Sequence, residues 1–473
     1  MSDPLNRYMR TRRSAVIDLR YSRNTLAHPF VSFCSKFRSL APLRLCVGHP
    51  FCAESRRATT EMRQSICGNE TPKLQTSMPI RRHWVSIMVL GLGMMCLTTV
   101  AQIDPEQRQL IHLGYNASFK GHAPIAGYAF YYLNRPEFYR DDVTLRVAIA
   151  PVYFDSELGL AHAFGPNTDV GIGLSGGGFA DSYNEISGGK YIPKESFDGH
   201  GGGPSFSVYH RINPAQMIPL FAIARVSAYY VSFTERDDTS GRFEMPDDYT
   251  SANARIGLRL GGKEPVLFPS LAMELSLWAE SINRGNSGNY GFNDDRNVST
   301  SVGRYYGYAY LAYTFQRGDN ISLSITAGDT TDSDRFSAFR LGGELPLVAE
   351  YPLILPGYYY QELSAKRFAL FNGRYAVALD AAKQWQVYGV AATAVMQQLR
   401  ETREGGNLHS GVGGGIAYRT ASEMWKVGLT YGYGIDAERE HEHGAHVVGM
   451  FVQFDFEKYF GKRRSRPWFW EVQ

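Results

Sequence analysis

The sequence predicts an all-β protein, a sixteen-stranded antiparallel transmembrane β-barrel, on three observations. Apolar and polar residues alternate with a period of two through most of the chain beyond residue 102. Short turns and long polar connections take turns between the alternating segments. A brief apolar stretch, with arginines before it and small residues after it, reads as an export signal.

Taken in order, residues 1–77 are Arg-rich and show neither helical nor strand periodicity. They are expected to be a disordered extension or a mis-called upstream region, with Met78 as the start of the exported precursor. Residues 78–101 follow as the signal peptide. Arg81 and Arg82 form its positive end, 85–97 its apolar core, and Thr99-Val100-Ala101 its cleavage site. The core is too short for a spanning helix, which needs roughly 20 apolar residues. Cys96 follows Met95 where a lipid-attachment site requires a small residue, so lipidation is not expected.

Residues 102–457 are the barrel. Sixteen segments alternate, near 110–119, 126–133, 143–154, 157–164, 169–180, 203–212, 220–233, 251–262, 270–280, 304–315, 320–328, 361–379, 385–397, 409–420, 423–434 and 446–457. In LAMELSLWAE, Leu271, Met273, Leu275 and Leu277 fall on one face and Glu274, Ser276 and Glu280 on the other. RIGLRL sets Ile256, Leu258 and Leu260 against Arg255, Gly257 and Arg259. ISLSIT (321–326) follows the same rule. VGMFVQFDF sets Val448, Met450, Val452, Phe454 and Phe456 against Gly449, Gln453 and Asp455. Asn372-Gly373 has the composition of a hairpin turn. Splitting there would make the strand count odd and reverse the alternation of connections, so 361–379 is read as one strand.

Short connections such as QRGD follow even-numbered segments. Long polar ones such as TERDDTSGRFEMPDDY follow odd-numbered segments. One rim of short turns and one of long loops is the habit of outer-membrane barrels. A soluble sandwich or propeller also alternates. It does not explain an export signal, a wholly apolar outward set in LAMELSLWAE, or the lumen-type arginines Arg255 and Arg259. Residues 458–473, KYFGKRRSRPWFWEVQ, form a basic and aromatic tail suited to a headgroup layer.

The net charge of +3 averages unlike parts. Residues 1–77 carry thirteen Lys/Arg against five Asp/Glu, Arg81 and Arg82 add two, and residues 102–473 are left at −7. The barrel therefore implies no nucleic-acid partner. All five cysteines precede residue 102, which excludes a disulfide framework, a thiol nucleophile and a cysteine metal site beyond it. No cofactor is implied.

The stretch 334–379, DRFSAFRLGGELPLVAEYPLILPGYYYQELSAKRFALFNGRYAVAL, resembles the BamA/TamA-type bacterial surface antigen superfamily of outer-membrane barrels. In that family a run with Arg-Phe and Gly-Gly leads into the sixth outer loop, whose Gly-aromatic tip folds into the lumen, and a long strand with a mid-strand Tyr follows. Arg335, Phe336, Gly342, Gly343, Gly357-Tyr358 and Tyr375 occupy those places. GVGGGIAYRT and KVGLTYGYG resemble the fourteenth and fifteenth strands, and Gly449, Val452, Phe454 and Phe456 resemble the carboxy-terminal assembly signal. The detailed likeness covers 334–457. It implies a bacterial outer-membrane location, the barrel-assembly machinery as a partner during biogenesis, and a role in outer-membrane lipid or protein transport or assembly.

Two departures bear on the site. Pro356 stands where the family has an Arg, and QVYGVAATAVM (386–396) lacks the Asp that pairs with it. Losing both together is electrostatically coherent, since either alone is a costly buried charge. An apolar plug is expected in their place: Leu353, Leu355, Pro356, Gly357 and Tyr358 to Tyr360 on the lumen wall, with the tyrosine hydroxyls finding polar partners. Residues 102–110 leave no room for a periplasmic POTRA domain, so a separate periplasmic protein is the expected partner, beside outer-membrane lipids.

The alternatives are a passive porin-like channel and an outer-membrane hydrolase; the chain is read as not an enzyme. Gly173-Leu174-Ser175-Gly176-Gly177 matches G-x-S-x-G, and the superfamily includes barrels fused to patatin-type lipases, but no strand-turn-helix elbow surrounds it. His409-Ser410 has no partner assignable by spacing. His441, His443 and His446 are weak metal candidates in DAEREHEHGAH, read as a solvated outer loop. If Met78 starts the precursor, mass spectrometry of unprocessed protein will find no peptide from residues 14–57; such peptides would show that the extension is translated.

Overall fold

The computed structural model describes residues 106–150, 153–178, 182–262, 267–347, 350–399, 406–439 and 442–460. The expected extension, the export signal, most of the basic tail and His441 lie outside the described residues.

Sixteen strands form a closed antiparallel wall. They are β1 (Arg108–Ser118), β2 (Ala126–Arg135), β3 (Val143–Ala150), β4 (Tyr153–Leu160), β5 (Thr168–Gly177), β6 (Phe197–Arg211), β7 (Leu220–Glu235), β8 (Tyr249–Gly262), β9 (Leu271–Arg284), β10 (Ser301–Thr314), β11 (Asn320–Thr331), β12 (Leu363–Ala378), β13 (Trp385–Gln398), β14 (Leu408–Arg419), β15 (Trp425–Arg439) and β16 (Glu442–Asp455). Each pairs with its neighbours in sequence, and β1 closes on β16 from Leu110↔Asp455 to Ser118↔Val447. Asn372 and Gly373 lie within unbroken β12, paired on both sides.

The wall is apolar outside and polar within. Leu271, Met273, Leu275 and Leu277 are exposed, Leu275 at 52%, whereas Glu274, Ser276 and Glu280 on the same strand are buried, Glu280 at 0%. Water on both sides would favour the reverse; hydrocarbon outside accounts for it. Aromatic pairs gather at the strand ends on the short-turn rim: Trp385 with Tyr418, Trp425 with Phe454, and Tyr313 with Phe315. Such rings suit the membrane–water interface. The long-loop rim is taken as outer.

Three expectations are corrected. The third and fourth segments were placed too far along, for β3 ends at Ala150 and β4 begins at Tyr153. In the sequence Pro151, which has no N–H to give to a ladder, lies between them. DAEREHEHGAH is no loose loop, because β15 runs to Arg439 and β16 begins at Glu442, with Glu438 opposite His443. Phe456 is not in the last strand. It opens a short helix, Phe456–Phe460, and packs edge-on against Phe454 at 4.7 Å.

Leu275→Arg on this outward face is expected to cost about 2–4 kcal/mol in folding into vesicles, measured by urea titration. A change within about 0.5 kcal/mol would mark the face as water-exposed.

Candidate functional site

The long connection between β11 and β12, residues 332–362, turns inward. At its start, Asp334 takes the Arg284 guanidinium at 2.5 Å and accepts the backbone N–H groups of Ser299, Phe336 and Ser337. Arg335 pairs with Glu185 of the β5–β6 connection at 3.0 Å. Phe336 enters an aromatic cluster with Tyr183, Phe197, Phe233 and Tyr290. The two family-motif residues thus belong to a packed outer cap, where Arg296 also reaches Glu195. Burial pushes the Tyr183 hydroxyl above its usual range, so it stays protonated.

Residues 339–341 pair with the start of β12, and Gly342 and Gly343 then reverse the chain at positive φ. Their backbones meet the returning segment: Gly342 N–H donates to Leu353 O, and Leu355 N–H to Gly343 O. Between these points the connection leans on the β8–β10 wall. Glu350 takes Arg255 at 3.0 Å, and Tyr351 OH receives Trp278 Nε1–H at 3.0 Å and donates to Glu274 at 3.1 Å. Arg259 pairs with Glu274 and Arg304 with Glu280 in the same patch.

The returning segment then reaches the β14–β15 wall. Leu355 and Tyr358 are fully buried, and Tyr358 OH lies 3.4 Å from His409 Nδ1. Gly357 has φ +82°, and a Cβ there would fall 1.8 Å from Gly434 N; a Cβ on Gly411 would fall 2.1 Å from Pro356 O. The inward glycines of β14 and β15 therefore form a shallow floor that admits backbone against backbone. Glu344 Oε2 accepts the Thr430 hydroxyl at 2.5 Å, and its other oxygen lies where a Gly432 side chain would be. Glu362 closes the connection with a bidentate pair to Arg439, 2.6 Å on each oxygen, both residues nine-tenths or more buried.

A second insert comes from the other rim. Leu267, after β8, donates its N–H to Gln453 Oε1 at 2.8 Å, and its carbonyl accepts Lys426 Nζ at 3.0 Å. Phe268, at φ +53°, packs on Phe451 and Tyr388 under the Arg374 guanidinium, 4.1 Å above its ring. These partners stand on β12, β13, β15 and β16, across the lumen from β8. Leu347 of the outer connection packs against the same cluster, so the two inserts share one apolar cluster of the wall.

The tip residues Leu355, Pro356, Gly357 and Tyr358 are legible in the sequence, with apolar packing and tyrosine hydroxyls as their expected anchorage; the carboxylate anchors are not. The carboxylates Glu344, Glu350 and Glu362 were missed, as was the Leu267–Phe268 insert. Acidic residues inside ELPLVAEYPL were the available signal. Of the other candidates, Tyr375 lies on the outward face of β12 and donates to Asp319 at 3.3 Å. Gly449 and Val452 pair with Asn116 and Leu113 of β1, and Phe454 with Ile111. His446 Nδ1 lies 2.6 Å from Tyr431 OH, and among the described residues no group of metal-binding side chains forms. Ser175 lies inside β5, 2.8 Å from Tyr229 OH. Ser410 sits in β14, 3.1 Å from Thr393 Oγ1.

No protein-family model matches the sequence, and no curated protein matches it. Among solved structures it is similar to CdiB from Acinetobacter baumannii (9% identity, 74% of this chain, 60% of that chain, TM-score 0.48). It is similar also to BamA from Haemophilus ducreyi lacking POTRA domains 1–3 (9%, 73% and 70%, TM-score 0.46). A third is Pseudomonas putida OprB (10%, 74% and 94%, TM-score 0.40). The chain spans only about 60% of the length of that CdiB. At such values the likeness is one of barrel architecture and decides nothing about activity.

Arg439→Ala is expected to destabilise the protein by about 3–5 kcal/mol in urea unfolding, because it strands the Glu362 carboxylate. The double variant Arg439→Met, Glu362→Gln should recover part of that loss.

Proposed function

We propose that this bacterial outer-membrane barrel is closed across its lumen and acts in the transport or assembly of lipid or protein at the membrane, and is neither a passive solute pore nor an enzyme. The observation that carries the reading is the course of residues 332–362, held at once by Arg255 and Trp278 on one wall and by Thr430 and Arg439 on the other. A segment fastened across the lumen by buried ion pairs narrows any path for solutes. The Leu267–Phe268 insert supports the same reading from the inner side.

The role rests further on the resemblance of 334–457 to the BamA/TamA-type superfamily. On that reading Leu355, Pro356, Gly357 and Tyr358 are the tip of the plug, and Arg335, Phe336, Gly342 and Gly343 hold its root. Glu344, bound to Thr430, does the work of the family's Arg–Asp lock. Gly449, Val452 and Phe454, with Phe456 just beyond, serve the assembly machinery during biogenesis. Outer-membrane lipids and a separate periplasmic protein are the partners.

In planar bilayers the wild type is expected to pass little steady current. Deleting residues 353–360 together with Leu267→Gly and Phe268→Gly should open a large one, and either change alone a smaller one. Large steady currents from the wild type, unchanged by the deletion, would establish an open porin. Esterase activity lost in Ser175→Ala or Ser410→Ala would establish a hydrolase.

A further inference from the structure

Among the described residues, the wall has a gap that its closed topology does not require. β2 pairs with β1 along its length, up to Asn116↔Ala126. With β3 it pairs only from Tyr131↔Ile149 to Arg135↔Leu145. Among the described residues, the outer half of β2, residues 126–130, therefore has an open edge, and no connection hydrogen-bonds to it through its backbone.

The cause is the β3–β4 hairpin, whose strands have eight residues each, against fourteen to sixteen in β6 to β10. At about 3.4 Å per residue and a tilt of about 40°, eight residues climb roughly 20 Å, short of the roughly 25 Å apolar band of such barrels. The hairpin thus ends within the hydrocarbon, and a notch opens above it. The far flank is covered: β6 continues outward, and Tyr183 of the β5–β6 connection bridges Phe197.

On the β2 side the notch is apolar. Behind β2, Ala126 and Tyr128 pack against Leu345, with Phe130, Leu347 and Tyr360 beside them. In front, Ile125 and Ile149 are exposed on the outward face beside it. The outward residues Gly127 and Ala129 carry almost no side chain, which leaves a groove along the edge of β2. The charged lumen patch of Arg255, Arg259 and Glu274 lies elsewhere, on β8 and β9.

Free backbone N–H and C=O groups at membrane depth are costly unless something bonds to them. Bare hydrocarbon cannot. A lipid can, because its acyl chain suits the apolar groove and its ester or amide linkage matches the peptide groups of the edge. We propose that the notch above the β3–β4 hairpin is a lipid-binding site, taking the acyl chain of an outer-leaflet lipid along residues 126–130 of β2 with its linkage bonded to the strand edge. The site stands whether or not the lumen conducts.

The test uses the full protein in vesicles containing phosphatidylglycerol with a photoreactive acyl chain. Labelling should be several-fold richer on residues 126–130 and Ile149 than on the exposed leucines of β9. Ala129→Trp, which fills the groove, should bring it down to the β9 level while the heat-sensitive gel mobility of the folded barrel is kept. Even labelling around the wall, or labelling indifferent to Ala129→Trp, would overturn the proposal. Hydrogen exchange on the wild type checks it without a variant. Amides of residues 126–130 that point away from β1 should exchange quickly in lipid-free detergent and slow on adding phosphatidylglycerol. Protection equal to that of β1 in detergent would mean that the edge is already paired, and protection conferred only by a co-purifying polypeptide would assign strand addition instead.

Discussion

In hydrocarbon a backbone N–H or C=O finds no solvent partner, and this requirement governs everything else about the molecule. Save along the outer half of β2, it is met by the ladder from β1 round to β16 and by the nine residue pairs that close β16 on β1. Once the wall is closed, each strand must show one face to lipid and the other to a narrow interior. Leu275 and Glu280 of β9 then exchange the places that they would take in water.

The interior inherits a second constraint. Charges turned inward leave bulk water, so they must be paired. Arg259 with Glu274, Arg304 with Glu280 and Arg439 with Glu362 meet that need. Several of the inward arginines bind carboxylates of the inserted connection: Arg255 and Arg259 reach Glu350, Arg284 holds Asp334, and Arg439 holds Glu362. The wall and the insert thereby depend on each other. The glycines of β14 and β15 play the complementary part, removing side chains where the tip comes to rest.

The alternation of LAMELSLWAE and VGMFVQFDF made the number and order of the strands legible, because in a two-faced wall polarity follows position alone. The Leu-Pro-Gly-Tyr tip was legible through its composition and its resemblance to a family. Its anchors were not. Glu344 meets Thr430 across 86 residues, and Leu267 meets Gln453 across 186. No local pattern announces which carboxylate or which turn will cross a lumen. The β3–β4 hairpin failed for a related reason: its segments alternate well enough on either side of Pro151, and where the turn lies is a matter of register with β2 and β5.

The sequence by itself determined that the chain is a membrane-spanning β-wall, since periodicity and connection length are local properties written residue by residue. Tertiary structure alone decided how that wall is filled and where, among the described residues, it falls short: the insert held by Glu350 and Glu362, the second insert at Leu267 and Phe268, and the open edge of β2. Each arises when a closing cylinder brings together residues far apart in the chain, and that meeting depends on register and on the free energy of pairing buried charge.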